Sequence, residues 1–161
     1  MGTTIPPTST HQNQDRAQLD PAKCWKLAAR STGASPLPPI PDQVLVTDAA
    51  AQLIAHLRAT HGDLMFHQSG GCCDGSSPMC YPRAEFLTGD SDVQLGTICD
   101  TPFFMSKSQF EYWKHTQLIL DVVPGRGGMF SLEGSEGVRF LIRSRVFTDQ
   151  EIAALRAANR I

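Results

Sequence analysis

Three cysteines, a histidine and an aspartate lie close together in the middle of the chain, and these residue types can carry chemistry. The segment begins at His67, ends at Cys80 and contains Cys72, Cys73 and Asp74. Thiolate sulfur and imidazole nitrogen are ligands for zinc, copper(I) and iron. A thiolate is also a nucleophile when a base or backbone N–H groups lower its pKa. The segment therefore indicates either a metal site or thiol chemistry.

The first interpretation is a transition-metal site for zinc, copper or iron. Its ligands would be His67, Cys72, Cys73 and Cys80. Neighbouring cysteines project in alternating directions, so we expect only one of Cys72 and Cys73 to bind a given ion. The spacing differs from the paired Cys-x-x-Cys of a zinc ribbon, so it does not identify the metal. No nucleotide cofactor is expected, because the glycine-rich run at residues 124–128 lacks the context of a phosphate loop.

The second interpretation is thiol chemistry at the same segment. Cys72 or Cys73 would be the nucleophile, His67 its base and Cys80 a resolving partner. A third interpretation is that the cysteines are weak hydrophobes packed in a tight turn. Three cysteines within residues 72–80 are more than packing requires. Cys99, in the next strand region, would offer a further sulfur to either kind of site.

Composition excludes several classes of protein. Lys and Arg number 14 and Asp and Glu 16, a net charge of −2, whereas nucleic-acid binding normally needs a basic excess. No apolar run approaches the roughly 20 residues of a membrane helix. The N-terminal region also lacks the apolar core, about 7–15 residues, of a secretory signal. We therefore expect a cytoplasmic protein that binds neither nucleic acid nor membrane.

The chain divides into a tail and one domain. Seven of the 11 prolines fall in the first 42 residues, which have almost no apolar periodicity. Such a segment cannot repay the entropy of ordering, so residues 1–42 are predicted to be a disordered tail. Residues 43–161 are long enough to bury a core and are predicted to form a single α+β domain.

Three helices are predicted from their caps and apolar spacing. The first runs from Thr47, which caps it, to about Thr60, and Gly62 ends it. Ser106 caps a short middle helix, and Thr148 begins a C-terminal helix with a T-x-x-E capping box.

Between the helices, short apolar runs predict strands. They span Leu64 to Phe66, Ala84 to Leu87, Val93 to Ile98, Thr116 to Val123, Met129 to Glu133 and Val138 to Phe147. The expected architecture is α+β, with a mainly antiparallel curled sheet or small barrel. A sheet with one apolar face would pair with a second copy of the chain, so a homo-oligomer is also expected.

Three segments carry a resemblance to a known family. Residues 65–80, 109–116 and 121–128 resemble the bacterial domain-of-unknown-function 779 family, and the similarity covers about residues 45–148. Members are often encoded beside NAD-dependent aldehyde dehydrogenases, acetaldehyde dehydrogenases among them. The resemblance therefore implies a role in aldehyde or alcohol oxidation and an aldehyde dehydrogenase as partner. It implies no set of catalytic residues.

Three hypotheses about function follow, and they leave open whether the protein is an enzyme. The first is an accessory protein of aldehyde or alcohol oxidation whose Cys/His loop binds a transition metal. The second is a non-catalytic redox or regulatory partner of the dehydrogenase. The third is a small thiol enzyme with Cys72 or Cys73 as nucleophile and His67 as base.

Overall fold

A computed structural model describes residues 39–68, 70 and 77–161. In this part of the chain, three α-helices, one 3-10 helix and seven strands form an α+β fold. The helices are α1 (Asp48–His61), α2 (Lys107–Trp113) and α3 (Asp149–Ala157), and the 3-10 helix is Leu132–Glu136. The strands are β1 (Val44–Val46), β2 (Leu64–Gln68), β3 (Pro78–Pro82), β4 (Asp92–Ile98), β5 (Thr101–Ser106), β6 (Thr116–Pro124) and β7 (Val138–Val146).

The predicted helix boundaries are confirmed by the capping interactions. The side chain of Thr47 accepts a hydrogen bond from the N–H of Ala50 at the start of α1. Gly62 ends α1 with φ at 81°, a conformation that residues with a Cβ rarely adopt. Helices α2 and α3 begin at their predicted caps, Ser106 and Thr148.

The strands form two mixed sheets, with the orders β1-β6-β7 and β3-β2-β5-β4. Strand β1 is parallel to β6 and β2 is parallel to β5, while the other pairs are antiparallel. The α+β class with three helices is thus confirmed. Within the described ranges the sheets do not close, so the small barrel considered from the sequence is not formed. Antiparallel pairing is also less dominant than expected, because β5 returns to lie beside β2 in the same direction.

The inner faces of the two sheets share one core. The ring of Phe66 on β2 meets the ring of Phe140 on β7 edge to face, with centroids 4.9 Å apart. Phe66 also stacks on Phe103 of β5 at 5.9 Å. Ile54 and Leu57 of α1 pack into the same cluster. Burial of each such side chain stabilises the fold by about 1.5–3 kcal/mol, so this cluster fixes which faces of β2 and β5 point outward.

The 3-10 helix fills the gap between the edges of the two sheets. It contacts both β3 and β7. Ser131, the residue before it, accepts the backbone N–H of Cys80 on β3 through its Oγ at 2.8 Å. A side chain therefore satisfies an edge-strand N–H that no neighbouring strand reaches, and β3 is held against the second sheet.

The predicted strand from Ala84 to Leu87 is wrong. Strand β3 ends at Pro82, which pairs with Leu64, the first residue of β2. Arg83 still donates its N–H to the carbonyl of Asp63 at 2.8 Å, and the chain then turns, with the N–H of Glu85 bonded to the carbonyl of Pro82 at 3.0 Å.

The predicted strand from Met129 to Glu133 is also wrong. Ser131 donates its N–H to the carbonyl of Gly128 at 3.0 Å, and Gly134 donates to the carbonyl of Ser131 at 3.1 Å. These two local hydrogen bonds form turns that lead into the 3-10 helix. The apolar run at this position therefore reflects loop residues rather than a strand.

Residues 1–38 of the predicted tail lie outside the described residues, and the tail stays a prediction. None of the helices in the described residues is long and apolar enough to cross a membrane.

Candidate functional site

His67 and Asp92 form a hydrogen-bonded pair on the outer face of the β3-β2-β5-β4 sheet. The distance from Nε2 of His67 to Oδ1 of Asp92 is 3.0 Å. The second carboxylate oxygen, Oδ2, accepts the N–H of Gly89 at 2.9 Å. Only 17% of the His67 side chain and 12% of the Asp92 side chain are exposed, so water screens this contact less than it would on an open surface.

The surroundings of Asp92 determine the proton positions in this pair. The N–H of Gly89 and the hydrogen bond from His67 hold the pKa of Asp92 below its usual value. Asp92 is therefore a carboxylate at neutral pH and can only accept hydrogen bonds. The network thus assigns the proton of the neutral imidazole to Nε2 of His67, which leaves Nδ1 as the basic nitrogen.

Aromatic and sulfur side chains flank the imidazole. The ring of Phe86 lies 5.0 Å from the His67 ring and stacks on Tyr81 at 4.7 Å. Met79 of β3 pairs directly with His67, and its sulfur accepts a hydrogen bond from the Tyr81 hydroxyl at 3.1 Å. Phe104 of β5 is the paired residue on the other side of His67. His67 therefore has largely apolar neighbours among the described residues.

Cys80 lies on the opposite face of the sheet from His67. It pairs with Phe66, the residue before His67, and side chains alternate between the two faces of a strand. The thiol is buried in the core, where burial and the neighbouring carboxyl of Glu133 raise its pKa above the usual range. Cys80 is thus a neutral thiol, and the structure does not bring it together with His67.

Beside Cys80 lies a buried polar cluster, Ser131 and Glu133, that sequence reasoning did not single out. Ser131 bridges the N–H of Cys80 and the carboxyl group of Glu133, to which its hydroxyl donates. Burial raises the pKa of Glu133 above its usual value, and the Ser131 hydroxyl partly offsets this. The Oε1 atom of Gln68 has no hydrogen-bond partner among the described residues. We assign this cluster to the joint between the two sheets.

Cys72, Cys73 and Asp74 lie outside the described residues, so the predicted ligand set and nucleophile stay predictions. Within the described ranges, no three His, Cys, Asp or Glu side chains are grouped to hold a metal ion.

Cys99 occupies the turn between β4 and β5 and takes part in a disulfide bond. This turn is at the Thr101 end of β5, whereas the end of β2 lies beside Met105. At 3.3 Å per residue, Thr101 at the Cys99 turn is about 13 Å along β5 from Met105, the residue that lies beside the end of β2.

The model of a family described as "Domain of unknown function (DUF779)" matches residues 53–146, more than half of the 161 residues. The chain belongs to the DUF779 family. No curated protein matches the chain. His67, Asp92 and the buried cluster around Cys80 all fall within the DUF779 range, so the site belongs to the family domain and not to the N-terminal tail.

Sequence reasoning identified His67 but missed the residues that surround it in this DUF779 domain. Asp92 follows a Gly-Asp-Ser turn and looks like an ordinary turn residue. Phe86 lies in a segment expected to be a strand, and Tyr81 lies between prolines. None of these local patterns signals proximity to His67, because that proximity depends on the order of the strands.

Proposed function

We propose that the chain is a small enzyme that uses a thiol of the segment between β2 and β3 as its nucleophile. The observation that carries this proposal is the hydrogen bond between His67 and Asp92. An activated nucleophile needs a base beside it and a third group that orients the base. This hydrogen bond supplies the last two, since His67 is the base and the carboxylate of Asp92 orients it. The nucleophile would be Cys72 or Cys73, which follow His67 by five and six positions.

Each group has a defined role in the activation step. The thiol proton of Cys72 or Cys73 passes to Nδ1 of His67, which produces a thiolate and an imidazolium. The carboxylate of Asp92 fixes the imidazole in the tautomer with Nδ1 free and stabilises the imidazolium through Nε2–H. The thiolate then forms a bond to a carbonyl carbon of the substrate, the C=O π bond breaks with its electron pair moving to the oxygen, and the imidazolium of His67 gives its Nδ1 proton to that oxygen. Cys80 takes no part, because its thiol is neutral and lies on the inner face of the sheet.

Alkylation of the full-length protein tests the proposal. In this reaction the thiolate forms a bond to carbon and displaces iodide from iodoacetamide. We expect Cys72 or Cys73 to be labelled at pH 7 much faster than Cys80, and His67→Gln to slow this labelling by about 10- to 100-fold. His56→Gln, an exposed histidine on α1, is the matched control. Slow and equal labelling of all accessible thiols, unchanged in His67→Gln, would contradict the proposal.

A second candidate is a transition-metal site, and the same contact favours it. Histidines that bind metals usually donate their other N–H to a carboxylate, as His67 does to Asp92. His67 would bind through Nδ1, with sulfur from Cys72 or Cys73. Elemental analysis of untagged protein purified without chelator separates the two candidates. Stoichiometric zinc, copper or iron that is lost in His67→Gln favours the metal site, and its absence favours the thiol enzyme.

For the wider role, we retain that of an accessory protein of aldehyde or alcohol oxidation with a dehydrogenase partner. Its support is the family resemblance alone. Co-purification of an aldehyde dehydrogenase with the untagged protein from its native source is the test. A dehydrogenase whose activity and oxidation lifetime do not change when the protein is added would oppose this role.

A further inference from the structure

We propose that a disulfide bond joins Cys99 to Cys24 and ties the N-terminal segment of the chain, residues 1–38, to the turn between β4 and β5. This covalent tie is separate from the thiol chemistry proposed for Cys72 or Cys73. Three observations support it: the cysteines that remain as partners for Cys99, the place of its turn in the sheet, and the place where the N-terminal segment meets the domain.

Three cysteines of the chain are candidates for the partner of Cys99. Cys99 takes part in a disulfide bond, and the chain has five cysteines. Cys80 is a free thiol buried in the core, so the partner is Cys24, Cys72 or Cys73. The first of these lies in the N-terminal segment, and the other two lie in the segment between β2 and β3.

The turn that carries Cys99 lies at the opposite end of β5 from the segment between β2 and β3. Strand β5 begins beside the turn at Thr101 and ends at Ser106, and at 3.3 Å per residue it is about 16 Å long. Beyond the end of β2, Gly70 lies against α2, the helix that follows β5. A Cβ built on Gly70 would be 2.9 Å from Nε2 of Gln109 on that helix. About the length of β5, with the turn in addition, therefore separates Gly70 from Cys99.

Cys72 and Cys73 are too few residues from Gly70 to cover this separation readily. An extended chain advances at most about 3.6 Å per residue, so Cys72 is within about 7 Å of Gly70 and Cys73 within about 11 Å. A disulfide adds at most about 7 Å between its two Cα atoms. Cys72 therefore falls short of Cys99. Cys73 would reach the level of Thr101 only with a fully extended chain that ran straight back along the sheet.

Cys24 meets no such restriction, because the described chain begins beside β4, the strand that leads to Cys99. Strand β1 packs against β4, and a Cβ built on Gly96 would lie 3.1 Å from Cγ1 of Val44. Gly96 precedes Cys99 by three residues, about 10 Å along a strand. Cys24 precedes Pro39, the first described residue, by 15 positions, a length of chain that spans up to about 50 Å. Cys24 therefore reaches Cys99 without full extension.

Arg58 of α1 holds the turn in place independently of the sulfur of Cys99. Its Nη1 donates to the carbonyl oxygen of Cys99 at 2.7 Å and lies 3.9 Å from Oδ2 of Asp100. Cys99 and Asp100 have φ angles of 48° and 57°, the left-handed conformation of a two-residue hairpin turn. Because backbone and ion-pair contacts fix this turn, we expect the domain to stay folded when the disulfide is reduced.

The tie is reversible by thiol–disulfide exchange. A thiolate of a low-molecular-weight thiol forms an S–S bond to one of the two sulfurs, the bond between Cys24 and Cys99 breaks, and the released thiolate takes a proton from water. A second thiolate then attacks the mixed disulfide, which yields the other cysteine thiol and the disulfide of the reductant. Attachment of the N-terminal segment thus depends on the thiol–disulfide poise of its surroundings.

A tryptic map of the full-length protein, prepared without reductant, tests the pairing. Free thiols are first blocked with N-ethylmaleimide at mildly acidic pH, so that disulfides do not exchange. Trypsin places Cys24 in residues 24–26, Cys99 in residues 84–107 and the other three cysteines together in residues 59–83. We expect a linked peptide of 24–26 and 84–107 that disappears on reduction. A link between 59–83 and 84–107, or a blocked and unlinked 84–107, would overturn the proposal.

Brief digestion of the folded protein tests the tie itself. Cleavage after Lys26 or Arg30 should leave the N-terminal fragment attached to the domain on a non-reducing gel, and glutathione should release it. Cys24→Ser should release the fragment without reductant, and it tests the bond from outside the domain if Cys99→Ser does not fold. The double variant Cys72→Ser, Cys73→Ser is the matched control and should keep the attachment.

Three results of this digestion would overturn the proposal. The first is release of the wild-type fragment without reductant. The second is release in the double variant, because the partner would then be Cys72 or Cys73. The third is a linked peptide found only in a covalent dimer, because the bond would then join two copies of the chain.

Discussion

Asp92 accepts a hydrogen bond from His67 even though another strand, β5, lies between the strands that carry them. In the register, His67 pairs with Phe104 and Asp92 pairs with Ser106. Phe104 and Ser106 are two positions apart on β5, so they share a face, and their partners share it too. The contact therefore depends on the sheet order and on the register of two strand pairs.

Asp92→Asn should slow the labelling of Cys72 or Cys73 about tenfold or more at pH 7. The amide of asparagine can donate to Nε2 of His67, which favours the tautomer with its proton on Nδ1 and removes the base. Asp90→Asn, two residues earlier on the exposed turn, is the matched control. Equal labelling rates in the wild type and both variants, measured by peptide mass spectrometry, would show that Asp92 does not orient the base.

Cys80 is expected to be a structural residue. Cys80→Ser should lower the free energy of unfolding by about 1–3 kcal/mol, because a hydroxyl would replace the thiol in the core. Cys80→Val keeps the site apolar and should cost less. Urea denaturation measures both. Loss of thiol reactivity or of bound metal in folded Cys80→Val would instead identify Cys80 as part of the site.

Local sequence predicts the helices of this fold well because their signals are local. Thr47, Ser106 and Thr148 each cap a helix within three residues of the N–H that they accept. No strand is predicted at β3, and the prolines at both of its ends are unfavourable for a strand. Pro78 and Pro82 are tolerated because β3 is an edge strand with only one hydrogen-bonded neighbour.

The site was predictable only in part, because the sequence shows which residues are close along the chain and not which segments lie side by side in the sheet. His67 was found from its neighbourhood of cysteines, which are close in sequence. Asp92 and Phe86 come from other segments, and only the insertion of β5 beside β2 brings Asp92 to His67. Their distance in sequence groups Cys80 with His67, but the alternation of side chains in paired strands separates them.

The stability of the fold should depend on the ionisation of Glu133. Burial raises its pKa in the folded state above the ordinary value of 4.5. The folded protein then binds the proton more tightly than the unfolded chain does. The contribution of Glu133 to the free energy of unfolding therefore falls as pH rises from about 4.5 to the folded pKa and is constant above it.

Glu133→Gln removes this dependence. Relative to the wild type, the variant should gain stability as pH rises from about 4.5 to the folded pKa of Glu133 and keep that gain at higher pH, as measured by urea denaturation at several pH values. Asp92 and Asp121 have lowered pKa values, so their contributions change below about 3.8 and do not interfere. Glu85→Gln, on the exposed turn after β3, is the control. A difference between Glu133→Gln and wild type that stays constant from about pH 4 upward would contradict a raised pKa.

Gly127 should be required for the joint between the sheets. A Cβ built at this position would lie 2.9 Å from Oε1 of Glu133 and 3.1 Å from Cα of Gly134. Because the second contact is with backbone, a small side-chain movement cannot relieve it. Gly127→Ala should therefore lower the free energy of unfolding by about 1–3 kcal/mol, the cost of overpacking a filled space.

Gly89→Ala is the matched control, since a Cβ at Gly89 has no atom within 4 Å and the N–H to Asp92 is retained. The difference between the two variants measures the packing at Glu133 without the general effect of replacing a glycine. If Gly127→Ala and Gly89→Ala had the same stability, the loop would not be packed against Glu133. A large loss in Gly127→Ala that disappears when Glu133→Ala is added would locate the strain at the carboxyl group itself.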